Sequence, residues 1–179
     1  MISAMRIAAL ANDAEAIAPL SDLLIEVVAH GGSVSFTHPL ARDVAEAFWR
    51  DSLARAAAGG RVVLGAWEDD DQTGIATLAA TVTLELATPP NQPHRAEIAK
   101  LMTRVGRRGR GIARSLMLEA ERIAVERGRT LLVLDTAAEE GAAAFYERLG
   151  YQRVGIIPGY ALKPHGGLTA TIIYFKAIP

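Results

Sequence analysis

Residues 97–135 read EIAKLMTRVGRRGRGIARSLMLEAERIAVERGRTLLVLD and hold the most informative pattern in the chain. Glu97–Thr103 predicts a strand, and a loop of arginines and glycines follows it directly. A helix with apolar residues on one face begins after this loop and is closed by Gly128. Leu131–Leu134 is then a continuous apolar strand of the kind buried in parallel pairs, and it ends at Asp135. The stretch therefore predicts a strand–loop–helix–strand crossover.

The arginine/glycine loop, Arg104–Gly111, is typical of an anion-binding site. Glycine before a helix lets backbone N–H groups approach an anion closely, and the helix dipole then favours that anion. The side chains of Arg107, Arg108 and Arg110 add charged donors for phosphate oxygens. We therefore expect a phosphate or pyrophosphate ligand at this loop, with a solvated basic turn as the alternative.

Three other interpretations of the loop fit less well. A P-loop needs Lys and Ser or Thr where Ile112 and Ala113 stand. A Rossmann fingerprint could begin at Gly109, but Arg114 occupies its third small position and would block close helix–strand contact. The arginines lie on one short loop with no aromatic platform beside them, which disfavours a nucleic-acid surface. No nucleic-acid partner is therefore expected.

The rest of the chain alternates between helical and strand patterns. One helix is predicted from an N-cap at Asp13 to Gly31–Gly32, and another from Pro39 to Gly59–Gly60. The other predicted elements are the strands Arg6–Ala11, Val62–Trp67, Ile75–Leu86, Tyr151–Ile157 and Ala170–Lys176, the short helix Gly141–Leu149, the polar turn Glu68–Gly74, and the loops Thr88–Pro93 and Pro158–Gly167. The order β-α-α-β-β-β-α-β-α-β-β predicts an α/β fold with a mixed sheet and helices on both of its faces.

Composition narrows the class of protein. The chain has 179 residues and a formal net charge of −1, so residues 1–179 are expected to form a single domain. It has no cysteine, which excludes disulfides, cysteine-ligated metal sites and thiol nucleophiles, and no metal site is predicted. No signal peptide or membrane span is recognised, so a cytoplasmic protein is expected. Only Lys100, Lys163 and Lys176 are lysines, a scarcity that is expected to reflect genome composition.

Two motifs carry a resemblance to a known family. Arg108-Gly-Arg-Gly-Ile-Ala113 is similar to the R/Q-x-x-G-x-G/A signature of the GNAT superfamily of N-acetyltransferases. Ala142–Tyr151, with Tyr146 inside it, resembles the family's A-x-x-x-Y-x-x-x-G-F/Y helix. Four further stretches resemble acetyltransferases of the tabtoxin-resistance type: His94–Met102, Leu134–Thr136, Pro158–Ala161 and Ala170–Lys176.

The resemblance implies a fold, a cofactor and a set of residues that bind it. The fold would have three layers and a mostly antiparallel sheet, in which a central parallel pair of strands splays apart to admit acetyl-CoA. The first splayed strand would offer its backbone to the pantetheine arm, and the loop and helix start would cradle the pyrophosphate. The implied cofactor-binding residues are Leu101, Met102, Thr103, Arg108, Gly109, Arg110, Gly111, Ile112, Ala113 and Arg114.

The resemblance also implies catalytic roles in direct transfer of an acetyl group to an amine. Tyr146 aligns with the tyrosine that acts as general acid, since a phenol stays protonated at neutral pH. Asp135, at the end of an apolar strand, is the first candidate for the base, Glu97 is the second and His94 the third. Glu139 stands where many members carry an asparagine that contacts the coenzyme, so the chain departs from the family pattern at this position.

The acceptor is expected to be a small-molecule amine, with an amino-acid-like toxin or antibiotic suggested by the subgroup. Tyr160 and the loop Pro158–Gly167 would contribute to the acceptor pocket. A homodimer is possible by analogy with the family. A non-catalytic acyl-CoA-binding or regulatory module, and an acetyltransferase for a peptide amine, remain the alternatives.

Overall fold

The computed structural model describes residues 5–69, 74–139 and 141–179. Its strands are β1 (Met5–Ala9), β2 (Arg61–Asp69), β3 (Ala76–Glu85), β4 (Arg95–Thr103), β5 (Leu131–Ala137), β6 (Gln152–Leu162) and β7 (Leu168–Ala177). Its helices are α1 (Ala14–Ala29), α2 (Arg42–Ala57), α3 (Ile112–Glu126) and α4 (Ala143–Arg148). The predicted order of helices and strands is confirmed.

The strands form one seven-stranded sheet in the order β1-β2-β3-β4-β5-β7-β6. Every neighbouring pair is antiparallel except β4 and β5, which run parallel because α3 crosses between them. The predicted mixed sheet, mostly antiparallel with one central parallel pair, is therefore confirmed.

The two faces of the sheet are covered by different helices. One hydrophobic cluster joins the sheet to α3 and α4, with Leu116, Leu132 and Tyr146 among its buried members. A second cluster joins the opposite face to α1 and α2 and includes Leu24 and Trp49. Because side chains alternate between faces along a strand, one strand serves both clusters. The result is the predicted arrangement of three layers.

The first two helices follow their sequence signals with one difference. Asp13 caps α1 as predicted, and its Oδ1 accepts a hydrogen bond of 2.9 Å from the N–H of Ala16. The second helix begins at Arg42 instead of Pro39, since Ala41 still has an extended backbone with a ψ of 145°. Pro39 therefore lies in the connection before the helix, which leaves a longer loop between α1 and α2.

The predicted loop Pro158–Gly167 is wrong in its first half, because β6 continues to Leu162. The pairing of β6 with β7 shifts register between Ile157 and Ala161, so Pro158 falls at an irregularity. Proline is tolerated there because β6 is an edge strand, where a missing N–H breaks no ladder on the open side. Proline content therefore indicated a loop where the chain forms an irregular edge strand.

Two other boundaries also differ. The apolar strand predicted to end at Asp135 runs on to Ala137, so Asp135 lies within β5. Of the predicted turn Glu68–Gly74, Glu68 and Asp69 belong to β2, and residues 70–73 lie outside the described residues. Over the described ranges, no helix is long and apolar enough to cross a bilayer.

Candidate active site

A break in the sheet creates the cleft. Strands β4 and β5 pair only over Arg95–Glu97 and Leu131–Val133, after which both continue without pairing to each other. The register between β3 and β4 also shifts, so that Lys100 and Leu101 together oppose one residue of β3. This bulge bends β4 away from β5. The predicted splay of the parallel pair is thus present.

The cleft between the two strands has a volume of about 360 Å³. It is lined by β4 and β5, the loop between α1 and α2, α4, and the β6–β7 hairpin. The residues predicted for the site that line it are Leu101, Met102, Thr103, Arg108, Ala113, Asp135 and Tyr146. Residues far apart in the sequence therefore meet at one opening.

The start of α3 is open to an anion. Gly109 and Gly111 have φ angles of 76° and 81°, a left-handed backbone that favours glycine. Gly111 is the N-cap and provides no side-chain cap, so the N–H groups of Ile112, Ala113 and Arg114 have no side-chain acceptor. A Cβ at either glycine would enter open space, so the approach to these donors is unobstructed. The buried side chain of Ile112 belongs to the core and only its backbone faces this site.

The arginines of the loop fall into two groups. Arg104 pairs with Glu26 at 2.5 Å, and the Nη1 atoms of Arg107 and Arg110 both lie 3.3 Å from Oε2 of Glu68. Glu68 is 5% exposed, so its buried carboxylate anchors the loop through these two arginines.

Arg108 and Arg114 form no ion pair within residues 5–69, 74–139 and 141–179, and both are exposed. Arg108 makes a long hydrogen bond of 3.4 Å from its Nε to the carbonyl of Thr103. The prediction treated Arg110 and Arg108 alike, whereas the structure pairs Arg110 with Glu68. Two arginines are therefore available to a phosphate group without first breaking an ion pair.

Asp135 and Tyr146 approach the cleft from opposite faces of the sheet. Leu134 packs in the same cluster as Tyr146, so the next side chain, Asp135, points to the other face. The hydroxyl of Thr171 donates a 2.8 Å hydrogen bond to Oδ2 of Asp135 and fixes that carboxylate. Tyr146 is 7% exposed and packs edge-on against Phe145.

Three acidic or basic residues of the sequence analysis do not line this cleft. Glu97 lies in the part of β4 that is still paired with β5, and its Oε2 is 3.5 Å from Nη1 of Arg95. His94 is exposed just before β4. Glu139, in the asparagine position of the family pattern, pairs with Lys163 at 3.0 Å. The structure therefore brings Asp135, but neither Glu97 nor His94, to the cleft.

Lys100 and Ser35 are polar residues of the cleft that were not predicted. Lys100 on the bulge donates a 2.9 Å hydrogen bond from Nζ to Oγ of Ser35, in the loop between α1 and α2. Burial lowers the pKa of Lys100, while the carboxylate of Asp135 opposes that shift. Nothing in the sequence links these residues, which lie 65 positions apart. The sequence feature that distinguishes Lys100 is the scarcity of lysine, which the sequence analysis ascribes to genome composition.

Comparison with known proteins places this geometry in a family. Residues 28–151 match the model of the acetyltransferase (GNAT) family, which is more than half of the chain. The chain belongs to the GNAT family. It is therefore an acetyl-CoA-dependent acetyltransferase.

Solved structures share its fold at low sequence identity. A ribosomal-protein-alanine N-acetyltransferase from Brucella melitensis has a TM-score of 0.77 and 18% identity, covering 97% of this chain and 99% of that one. The yncA protein of Salmonella typhimurium, solved with its cofactor acetyl-CoA, has a TM-score of 0.77 and 16% identity, covering 98% and 95%. A protein described as a phosphinothricin N-acetyltransferase has a TM-score of 0.74 and 17% identity, covering 98% and 99%. At these identities the likeness shows the fold alone.

The chain has the features that acetyl-CoA requires. The unpaired edge of β4 can bind an extended pantetheine arm, and the uncapped N–H groups of α3 can bind a pyrophosphate. The open space before Gly109 and Gly111 leaves room for the phosphates. The residues present therefore fit the coenzyme.

The division of the arginines generates a prediction about coenzyme affinity. Replacing Arg108 by alanine should raise the Kd of coenzyme A by about 10- to 100-fold, because a charged hydrogen bond to phosphate is lost. Arg110→Ala should change the Kd much less, because Glu68 already occupies that guanidinium. Isothermal titration calorimetry of both variants makes the comparison. Equal losses would show that Arg110 leaves Glu68 when the coenzyme binds.

Proposed function

We propose that this acetyltransferase transfers an acetyl group from acetyl-CoA directly to the amine of a small molecule, within one domain formed by residues 1–179. The observation that carries the proposal is the cleft between β4 and β5, where Asp135 and Tyr146 arrive from opposite faces of the sheet. The absence of cysteine supports direct transfer, because no cysteinyl acyl-enzyme can form.

The coenzyme is proposed to bind on the face that carries α3. The side chains of Arg108 and Arg114, the N–H groups of residues 112–114, and the turn at Gly109 and Gly111 would hold its pyrophosphate. The backbone of Leu101–Thr103 would hold the pantetheine arm, with Met102 also packing in the core. When bound, acetyl-CoA supplies the activated acetyl thioester.

The acid and the base are proposed to be Tyr146 and Asp135. Asp135 is exposed on the face opposite to α3 and can accept a proton from the amine, directly or through a water molecule. The hydroxyl of Thr171 keeps one of its oxygens oriented. Tyr146, on the other face, can donate its phenolic proton to the departing thiolate. Placing the two groups on opposite faces would let the base reach the amine while the acid reaches the thiolate.

A contact between the α1–α2 loop and the β6–β7 turn supports a small acceptor. The loop between α1 and α2 is fastened to the β6–β7 turn, since the N–H of His38 donates to the carbonyl of Pro164 at 2.8 Å. The rings of His38 and His165 lie 4.6 Å apart, and Nε2 of His165 is 2.9 Å from the carbonyl oxygen of Ala29. This clasp joins two segments whose other residues line the cleft, and we propose that it would obstruct a peptide crossing there. An amino-acid-like toxin or antibiotic, as in acetyltransferases of the tabtoxin-resistance type, would fit this space.

The activity is tested by thiol release. Incubating the enzyme with acetyl-CoA and a panel of small amines and peptides should release coenzyme A faster with a small amine than with any peptide. Binding of coenzyme A without thiol release from any amine would instead indicate a non-catalytic acyl-CoA-binding module. Preferred turnover of a peptide would contradict the proposed acceptor class.

Tyr146→Phe tests the acid in that assay. Removing the hydroxyl should lower kcat by about 100-fold or more, because general acid catalysis contributes on this scale. The KM for acetyl-CoA should change little, since the ring remains in the core. Phe145→Leu, which alters the neighbouring ring without removing a proton donor, is the control. An unchanged kcat in Tyr146→Phe would reject the role.

Asp135→Asn and Glu97→Gln together test which carboxylate is the general base. The amide cannot accept the proton, so kcat should fall by about 100-fold or more while coenzyme affinity is retained. Glu97→Gln should cost far less, because Glu97 lies in the closed part of the strand pair. Thr171→Val, which removes the hydroxyl that bonds to Asp135 and to the carbonyl of Thr136, should give an intermediate loss. A larger loss in Glu97→Gln than in Asp135→Asn would reverse the assignment.

We further propose that two copies of the chain pair through β6. This strand lies at the edge of the sheet and exposes apolar side chains, among them Val154 at 64%, Ile156 at 48% and Leu162 at 58%. Two copies of one edge strand related by a twofold axis can pair antiparallel and match their apolar side chains. Tyr160 on the same strand lines the cleft, so such an interface would adjoin the acceptor site.

Light scattering after size exclusion should therefore give a dimer that Ile156→Lys converts to a monomer, because the twofold axis brings two like charges together. Val44→Lys, at a site of equal exposure on α2, should stay dimeric. A monomeric wild type, or a dimer unaffected by Ile156→Lys, would contradict the proposed interface.

A further inference from the structure

Lys100 and Ser35 share an unusual backbone conformation. Their φ angles are 52° and 76°, and among the described ranges they are the two residues other than glycine with positive φ. They are also hydrogen-bonded to each other across the cleft, from Nζ to Oγ at 2.9 Å. Such conformations cost energy and persist where the surrounding structure enforces them, often at ligand sites. The surrounding structure therefore holds the backbone of both Lys100 and Ser35 in an unfavourable conformation.

The ammonium group of Lys100 lacks an acidic partner, unlike the other two lysines. Lys163 pairs with Glu139 at 3.0 Å and Lys176 with Glu121 at 2.7 Å. Lys100 forms no ion pair within the part of the chain that the structure describes, and its Nζ lies 5.8 Å from the ring centroid of Phe48. An ammonium has three donors, so donors remain beyond the one bonded to Ser35. A half-buried cation of this kind favours an anionic ligand.

The charges around Lys100 define what that ligand must carry. Asp135 on β5 is close enough to act on Lys100 electrostatically but does not form an ion pair with it. Like Asp135, the carboxylates of Glu85 on β3 and Glu97 on β4 raise the pKa of Lys100, whereas the guanidinium of Arg61 on β2 lowers it. The acceptor side of the cleft thus presents a cation and a separate carboxylate. A zwitterion matches this pair, with its carboxylate toward Lys100 and its amine toward Asp135.

We infer that Lys100, oriented by Ser35, binds the carboxylate of the acceptor, so that the substrates are amines that also carry a carboxylate. The inference rests on the proposed function, because it assumes that the acceptor amine lies beside Asp135. Lys100 is then a specificity-determining residue, and Ser35 is a positioning residue that acts through it. Binding the carboxylate at Lys100 would leave the amine of a small amino acid facing the proposed base.

Matched acceptors test the inference. For the wild type, kcat/KM should be about 10- to 100-fold higher for an amino acid than for its carboxamide, the scale of one charged hydrogen bond. Lys100→Met should abolish that ratio, mainly through KM, and Lys100→Arg should retain much of it. Ser35→Gly removes the hydroxyl without backbone strain and should give an intermediate ratio. Lys176→Met, which removes a lysine that pairs with Glu121 outside the proposed site, should leave the ratio unchanged.

Two further measurements do not require turnover. Calorimetric titration of an amino acid into the enzyme with coenzyme A, which has no acetyl group to transfer, should show binding that Lys100→Met loses. Because only the charged ammonium binds a carboxylate and burial lowers the pKa of Lys100, this binding should weaken as pH rises. Lys100→Arg should keep it to higher pH.

The outcomes separate this inference from the proposed function. Acetylation of amines with no preference for a carboxylate would overturn the role of Lys100 and leave the acetyltransferase activity intact. Failure of every amine to release thiol would instead contradict the proposed function, while the calorimetric titration would still test the carboxylate site. Acetylation of Lys100 itself by acetyl-CoA, detected by mass spectrometry, would make it an acceptor and also overturn its role as an anchor.

Discussion

The interrupted hydrogen-bond ladder between β4 and β5 is the constraint on which the rest of the site depends. β4 and β5 are hydrogen-bonded to each other over only three residues of each strand. Beyond these residues, the backbone N–H and C=O groups on the facing edges of the two strands do not bond to each other. Unpaired backbone groups inside a protein are costly unless water or a ligand satisfies them. An extended ligand such as the pantetheine arm can take the place of the missing strand. In the proposed binding mode, the coenzyme would complete a sheet that folding leaves open.

The alternation of side chains across the sheet explains how the gap can work as a reaction site. Leu134 and Tyr146 belong to the α3 side, whereas Asp135 and Lys100 face the side of α1 and α2. The opening connects two compartments that differ in character, one lined by the arginine/glycine loop and one by the groups proposed to bind the acceptor. A donor and an acceptor can thus enter from opposite faces and meet between the strands.

Local patterns were sufficient to predict the order of elements and the glycine-rich turn before α3. Periodicity, the N-cap at Asp13 and the glycines before α3 all act within a few residues, so they can be recognised in a single sequence. The irregular edge strand β6 was harder, because Pro158 indicates a loop unless the open edge of the sheet is known. Residue-by-residue roles were carried over from the family resemblance, and they remain proposals.

Long-range pairs account for what the sequence did not reveal. Glu68 lies 42 positions from Arg110, and Ser35 lies 65 positions from Lys100. No pattern in the chain links such partners, because only the folded sheet brings them together. The four arginines of the loop and Arg114 of α3 are therefore equivalent in the sequence, and only their acidic partners in the fold distinguish them. The same limit explains why the sequence predicts no role for Lys100.

The buried carboxylate of Glu68 has a consequence for the electric field at the mouth of the coenzyme site. The loop and the first turn of α3 carry five guanidinium groups, of which two share this one anion and a third pairs with Glu26. Five positive charges less two negative ones leave a net charge of about +3, so the long-range field is weaker than the arginines alone suggest. Added salt screens exposed charges most, so coenzyme affinity at the proposed site should depend on ionic strength as for about three net positive charges. In the proposed site the loop would therefore attract the coenzyme from a distance less strongly than five unpaired arginines would.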